Sequence, residues 1–180
     1  KRENPKYIGV CFDKGGSVSR SEIFSDYKAN RLETPEAITL GIPYIKKILN
    51  AMDILTVEIE GYEADDIIGT LAKKAEKDDF SVFMVTPDKD FAQLVSKNIF
   101  IYKPARMGND VEIMGIKEVN EKFEIENPKQ VIDYLGMVGD SVDNIPGLQG
   151  VGDKTAKKFI KEFGTIENLL ENTDKIKGKL

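Results

Sequence analysis

Apolar and polar positions along this chain recur with two periods, one suited to strands and one to helices. Tyr7-Ile-Gly-Val-Cys-Phe12 is an apolar run closed by Asp13-Lys14-Gly15-Gly16, which predicts a buried strand and a turn, with Cys11 a small buried apolar residue. Residues 14–34 show no firm period. Thr34-Pro35-Glu36 predicts an N-cap with proline at the first helical position. Ile38, Ile42, Ile45, Ile48, Leu49 and Met52 then form a helical stripe, in which Pro43 predicts a kink or a fresh start. Residues 54–59 alternate as a strand. Ala64, Ile67, Ile68, Leu71, Ala72 and Ala75 give one apolar helix face ending near Asp79. Residues 80–85 and 99–102 are strand-like, with a short helix predicted between them over 88–95. This alternation predicts a mostly parallel sheet covered by helices.

Beyond residue 104 the pattern changes. Short helices are predicted over 119–123, 129–138, 154–163 and 166–170, joined by Gly/Pro/Asn-rich turns, with no further strong strand. Met107-Gly-Asn-Asp110 reads as a hairpin or loop. The expected division is an α/β core over 1–110, including a segment 14–50 over the sheet, and a helical lobe over 111–180 with a helix-hairpin-helix motif at 129–163.

Composition narrows the chemistry. The 180 residues hold one cysteine and no histidine, which excludes a disulfide scaffold, His-based zinc sites and Ser-His-Asp triads. Any metal must be held by oxygen. No apolar run approaches the length of a membrane span. The net charge is −5, but it is uneven. Glu58–Asp90 carries ten acids against four lysines, Pro146–Leu180 seven lysines against five acids, and Lys14–Arg31 four basic residues against two acids. Acids flanked by basic segments suit a metal-dependent enzyme acting on a polyanion; ordinary charge clustering is the plainer alternative.

The acids fall at strand ends, where ligands of parallel sheets bind. Asp13 follows the first strand, Glu63, Asp65 and Asp66 open the helix after the second, and Asp88 and Asp90 follow the third. Such hard ligands suit Mg²⁺ or Mn²⁺. Acids in a helix's first turn also complement its dipole, but three recurrences favour a cation that offsets their repulsion. Asp140 and Asp143 either add two ligands, making a two-metal site, or form a solvated Asx turn. Gly147, Gly150 and Gly152 precede a helix bearing Lys154, Thr155, Lys157, Lys158 and Lys161. Glycines and a helix N-terminus there suit a sequence-independent grip on a nucleic-acid backbone; a plain connector with solvent lysines is the alternative.

Tyr27-Lys-Ala-Asn-Arg31, Gly61-Tyr-Glu-Ala-Asp-Asp-Ile-Ile68, Asp88-Lys-Asp-Phe-Ala-Gln-Leu94, Gly139-Asp-Ser-Val-Asp-Asn-Ile-Pro-Gly147 and Gly150-Val-Gly-Asp-Lys-Thr-Ala156 together resemble the 5′–3′ exonuclease domains at the N-terminus of bacterial DNA polymerase I. The resemblance implies a flap-endonuclease-type (PIN-like) α/β fold and two-ion (Mg²⁺ or Mn²⁺) hydrolysis of 5′ flaps and RNA primers in replication and repair. It implies Asp13, Glu63, Asp65 and Asp66 around one ion, with Asp65 shared, and Asp88, Asp90, Asp140 and Asp143 near a second. Lys28 and Arg31 would face the scissile phosphate from a mobile arch, with Arg20 further along it and Tyr27 stacking on a base or anchoring the segment. The glycine hairpin would bind duplex phosphates, with K⁺ held by its carbonyls. A polymerase domain in the same chain and a bacterial cytoplasmic, nucleoid-associated setting are also implied.

The family pattern includes a strand with a metal-binding aspartate upstream of Asp13. From Lys1 onward the expectation is therefore an unfilled apolar slot, self-association through an exposed sheet edge, and weak or absent cleavage by these 180 residues alone. The rival readings are a stand-alone flap endonuclease, a non-catalytic DNA-binding module and a small-molecule phosphohydrolase.

Overall fold

The computed structural model describes residues 3–105 and 110–176. The segment 106–109, and with it most of the expected hairpin at Met107, lies outside the described residues. The chain divides into two units, Lys1–Thr70 and Leu71–Leu180.

In the first unit, β1 (Gly9–Cys11) pairs in parallel with β2 (Leu55–Val57), and Phe12 N–H extends the ladder to Val57 O at 2.9 Å. Between them lie α1 (Val18–Ile23) and α2 (Glu36–Ala51). The sequence pattern gave no sign of α1, whose Ser17 cap accepts a hydrogen bond from Arg20 N–H at 3.3 Å. Pro35 occupies the N-cap position of α2 rather than the first helical position, and the helix runs unbroken through Pro43. Its apolar stripe is not buried. Ile38, Ile45, Ile48 and Met52 are exposed, and α2 packs on β2. The first strand is also less buried than expected, so Cys11 is half-buried, with burial raising its thiol pKa. Ser17, Glu63 and Ile67 are the buried side chains among the described residues of this unit. A carboxylate in so short a set is unusual, because an unpaired buried charge is costly.

α3 (Ala64–Lys77) carries Asp65 and Asp66 in its first turn and Lys74 and Lys77 in its last, matching the helix dipole at both ends. The second unit holds a three-stranded sheet: β3 (Val82–Val85) pairs in parallel with β4 (Ile99–Lys103), which pairs antiparallel with β5 (Glu112–Met114). β5 is a strand that the helical reading of residues 111–180 lacked. Met84, Ile99, Ile101 and Met114 are almost fully buried beneath it. The predicted helix after β3 is a 3₁₀ turn, Asp90–Leu94, which buries Phe91 and Ala92 and packs on the later helix Gln130–Val138.

Helices α4 (Ile116–Phe123), α5 (Gln130–Val138), α6 (Asp153–Phe163) and α7 (Ile166–Glu171) follow as the periodicity predicted. Val131 and Met137 of α5 and Ala156 and Ile160 of α6 are at most 2% exposed, so these two helices share one apolar seam. Among the described residues no helix is long and apolar enough to cross a membrane.

Candidate active site

In the first unit, three side chains from residues 20–28 converge on the start of α3. Arg20 grips Asp66 with a two-pronged pair, Nη1 to Oδ2 at 2.8 Å and Nη2 to Oδ1 at 2.7 Å. Lys28 Nζ donates to Glu63 Oε1 at 2.6 Å, and Tyr27 O–H donates to Glu63 Oε2 at 2.9 Å. Arg20 Nη1 also reaches Glu63 Oε2 at 3.5 Å. These bonds neutralise the buried carboxylate, the condition for a charge to remain in such a place. The Arg20 hydrogen bonds hold the Asp66 carboxyl below its ordinary range, against an opposing effect of burial. Burial disfavours the Lys28 ammonium, yet its bonds to Glu63 and Tyr27 prevail and raise its pKa. Lys28 sits at φ 58°, a left-handed conformation that a lysine adopts only when surrounding contacts hold it.

Asp13 accepts a hydrogen bond from Ala64 N–H at 2.7 Å through Oδ1 and so caps α3, while Asp65 is exposed. Among the described residues no three His, Cys, Asp or Glu side chains form a ready-made metal cage. The expected shell of Asp13, Glu63, Asp65 and Asp66 around one ion thus meets a different arrangement, in which cationic side chains of the same unit occupy two of the four. Arg20, expected to contact DNA, instead holds Asp66.

In the second unit, the charges of Asp88, Asp140 and Asp143 all act on Asp90, and Asp143 N–H donates to Asp140 Oδ1 at 3.4 Å. Asp88 Oδ1 accepts from Asp90 N–H at 2.9 Å, and Asp140 Oδ1 accepts from Val142 N–H at 2.8 Å, so both form Asx-type turns. Asp140 and Ile145 close the loop with two backbone bonds of 2.9 and 2.7 Å. Lys89 Nζ lies 3.8 Å from Asp140 Oδ2. Asp90 is the exceptional member: its Oδ1 is buried without a hydrogen-bond partner. Burial first, then the charges of Asp88, Asp140 and Asp143, push its carboxyl up to about 6. An orphaned buried acceptor of this kind is the chemistry a hard divalent cation would satisfy, although among the described residues no three acids are gathered closely enough to hold one.

In the glycine loop between α5 and α6 the glycines differ in what requires them. A Cβ on Gly147 would stand 2.4 Å from Val138 O and 2.5 Å from Met137 O, so this glycine is required by packing against the end of α5. Gly139, at φ 73°, faces Gly147 N at 2.3 Å from its own Cβ direction. Gly150 is needed for its φ of 78°, while Gly152 has open space and caps α6. Lys154 and Lys158 are exposed and Thr155 is half-buried. Lys157 is engaged within the protein, 3.3 Å from Asp153 Oδ1 and 3.6 Å from Glu124 Oε1. Sequence reasoning missed Tyr134, whose hydroxyl donates to Asp153 Oδ1 at 2.6 Å. No local spacing announces a bond between α5 and α6.

The profile of the 5′-3′ exonuclease N-terminal resolvase-like domain matches residues 1–124. This chain belongs to the 5′-3′ exonuclease family. The C-terminal SAM fold of the same family matches residues 126–180. A 5′-3′ exonuclease of Aquifex aeolicus is 43% identical over 175 residues, covering 97% of this chain and 59% of that protein. DNA polymerase I of Bacillus subtilis is 44% identical over 177 residues, covering 98% of this chain and 20% of the relative. The chain therefore spans about three-fifths of one relative and a fifth of the other. The T5 5′-exonuclease solved with divalent metal ions (zinc) bound superposes with a TM-score of 0.82 at 25% identity, over 99% of this chain and 68% of that one.

Proposed function

We propose that this chain is the 5′–3′ exonuclease and flap-endonuclease region of a DNA polymerase I-like protein, hydrolysing phosphodiesters near the 5′ ends of flaps and RNA primers. The observation that carries the metal-dependent part of this reading is Asp90, a partly buried carboxylate with an unpartnered oxygen among three further aspartates. The same chemistry has a named precedent in the T5 enzyme, which binds divalent ions, and in relatives described as 5′-3′ exonuclease and DNA polymerase I.

Asp88, Asp90, Asp140 and Asp143 would hold one divalent ion, Mg²⁺ or Mn²⁺, and Asp13, Glu63, Asp65 and Asp66 another. When bound, such ions supply electrostatic stabilisation of the phosphate. The chain's own residues do the rest. Lys28 and Arg31 neutralise the phosphate's charge, Arg20 contacts the polyanion further along the same segment, Tyr27 stacks on a base or anchors the segment, and exposed Lys154 and Lys158 track the duplex backbone. Gly150, Gly152 and Thr155 leave the α6 N-terminus open to a phosphate, while Gly147 shapes the loop. K⁺ at the loop carbonyls, a polymerase region in the same protein, a cytoplasmic nucleoid setting and self-association along a sheet edge belong to this reading as well. So does the division into a nuclease core over 1–110 and a second lobe over 111–180 that is helical after β5.

The test is cleavage of end-labelled 5′-flap DNA by the full-length protein with and without Mn²⁺ or Mg²⁺. Divalent-dependent release of the flap is the expected result. Flap-DNA binding with no product under either ion would replace the reading by a non-catalytic DNA-binding module, a role that the engaged state of Glu63 and Asp66 already suits.

A further inference from the structure

All four oxygens of Glu63 and Asp66 accept hydrogen bonds from one short stretch of chain: Glu63 Oε1 from Lys28, Glu63 Oε2 from Tyr27, and both Asp66 oxygens from Arg20. A divalent cation needs those same oxygens, and it cannot share them cheaply with an ammonium and a guanidinium a few ångströms away. We infer that Arg20 and Lys28 are resident counter-cations of these two carboxylates, displaced when a divalent ion binds, so that ion binding breaks the Arg20–Asp66 and Lys28–Glu63 pairs and loosens α1 from α3.

Three features of the structure support this. Glu63 is 6% exposed, so in the absence of a metal it requires a positive partner from the chain itself. The Arg20–Asp66 fork spans 46 positions and ties α1 to α3, so its loss detaches an element rather than a side chain. Lys28 reaches Glu63 from a left-handed φ of 58°, a backbone conformation uncommon for a lysine. Coupling between two binding events is reciprocal: if the ion expels Arg20 and Lys28, their presence weakens the ion. The expelled pair then becomes available to a polyanion at the moment the ions are in place. This inference rests on the reading of Glu63 and Asp66 as metal ligands, and the experiment separates the two.

Mn²⁺ affinity of the full-length protein is measured by calorimetry for the natural sequence, Arg20→Gln, Arg20→Lys, Lys28→Gln and Glu63→Gln. Removal of a competing cation from a part-exposed pair should tighten Mn²⁺ by roughly three- to tenfold in Arg20→Gln and Lys28→Gln, with Arg20→Lys between them and the natural protein. Glu63→Gln should lose the affected site. In parallel, hydrogen exchange of residues 18–24 should speed up on adding Mg²⁺ while that of residues 63–68 slows, a readout that needs no variant to fold. Mn²⁺ binding of equal or weaker affinity in the two glutamine variants, or unchanged exchange at 18–24 in a protein that binds the ion, overturns the displacement and leaves the metal reading standing. No binding by any form, or undiminished binding by Glu63→Gln, overturns both.

Discussion

The Tyr134 hydroxyl donates to Asp153 Oδ1 at 2.6 Å, fastening the buried face of α5 to the first residue of α6. Lys157 completes the link by pairing with the same aspartate and with Glu124 after α4. Burial, then the bond to Asp153, raises the tyrosine's pKa, and the same bond lowers that of Asp153. Tyr134→Phe keeps the ring against Phe123 and removes only the hydroxyl. It should cost about 1 kcal/mol of stability by urea unfolding, the usual net worth of one hydrogen bond. A loss near zero would assign the link no structural weight.

Glycine substitutions divide by what they meet. Gly147→Ala and Gly139→Ala drive a methyl into backbone, and each should cost several kcal/mol, on the order of severe overpacking. Gly150→Ala opposes only its positive φ and should cost about 1 kcal/mol. Gly152→Ala meets nothing within 4 Å and should cost only the N-cap preference for glycine over alanine, about 0.5 kcal/mol. Thermal melts of the four variants test this order directly.

The lysines of α6 should separate in the same way. Lys154→Ala and Lys158→Ala remove exposed charges and should each weaken duplex binding while lowering the salt slope by about 1. Lys157→Ala breaks two intramolecular pairs, so its first effect should be on stability. Fluorescence anisotropy across a salt series distinguishes these outcomes; equal slopes for all three variants would count against the division.

How far the sequence foretold this depends on whether the decisive contacts were local. The face of Ala64, Ile67, Ile68, Leu71, Ala72 and Ala75 predicted α3, and the runs at 80–85 and 99–102 predicted β3 and β4 to within two residues, because hydrophobic period is a local signal. β5 escaped because three residues become a strand only by pairing with β4. α1 escaped for a related reason: six residues with Val18 and Ile23 as their large apolar members depend on the Ser17 cap and on Arg20, whose partner lies 46 positions away. The acids were legible as candidates by their place after strands. That Glu63 and Asp66 are engaged by Arg20, Tyr27 and Lys28, and that Asp90 keeps an unpartnered oxygen, are properties of three-dimensional packing that spacing does not encode.

Asp90 and Asp66 should give opposite pH signatures. The Asp90 carboxyl is raised to about 6, so the stability it contributes is complete below the ordinary aspartate value and is lost as pH rises through 6. Asp90→Asn, neutral throughout, should therefore gain on the natural protein above pH 6, by roughly 1 kcal/mol once solvent screening is allowed for, and gain nothing near pH 4. Asp66, lowered by Arg20, contributes stability above the ordinary aspartate value and loses it as pH falls through its depressed folded-state value. Asp66→Asn should thus be destabilised at pH 7 and converge on the natural protein in acid. Metal-free unfolding midpoints decide both: Asp90→Asn is compared at about pH 4.5 and 7.5, and Asp66→Asn at about pH 2.5 and 7.5, and shifts that do not change between the two pH values of a pair would contradict the corresponding prediction.

The central proposal is that metal-dependent hydrolysis needs both carboxylate groups, the one that includes Glu63 and the one that includes Asp140. Its most direct test is Mn²⁺-dependent flap cleavage by the full-length protein carrying Glu63→Gln, Asp140→Asn or both. If the two groups act in the same reaction, either change alone should lower kcat by about a hundredfold or more, and the double variant should be little worse than the poorer single one. Cleavage that survives either substitution, or losses that simply multiply, would contradict it.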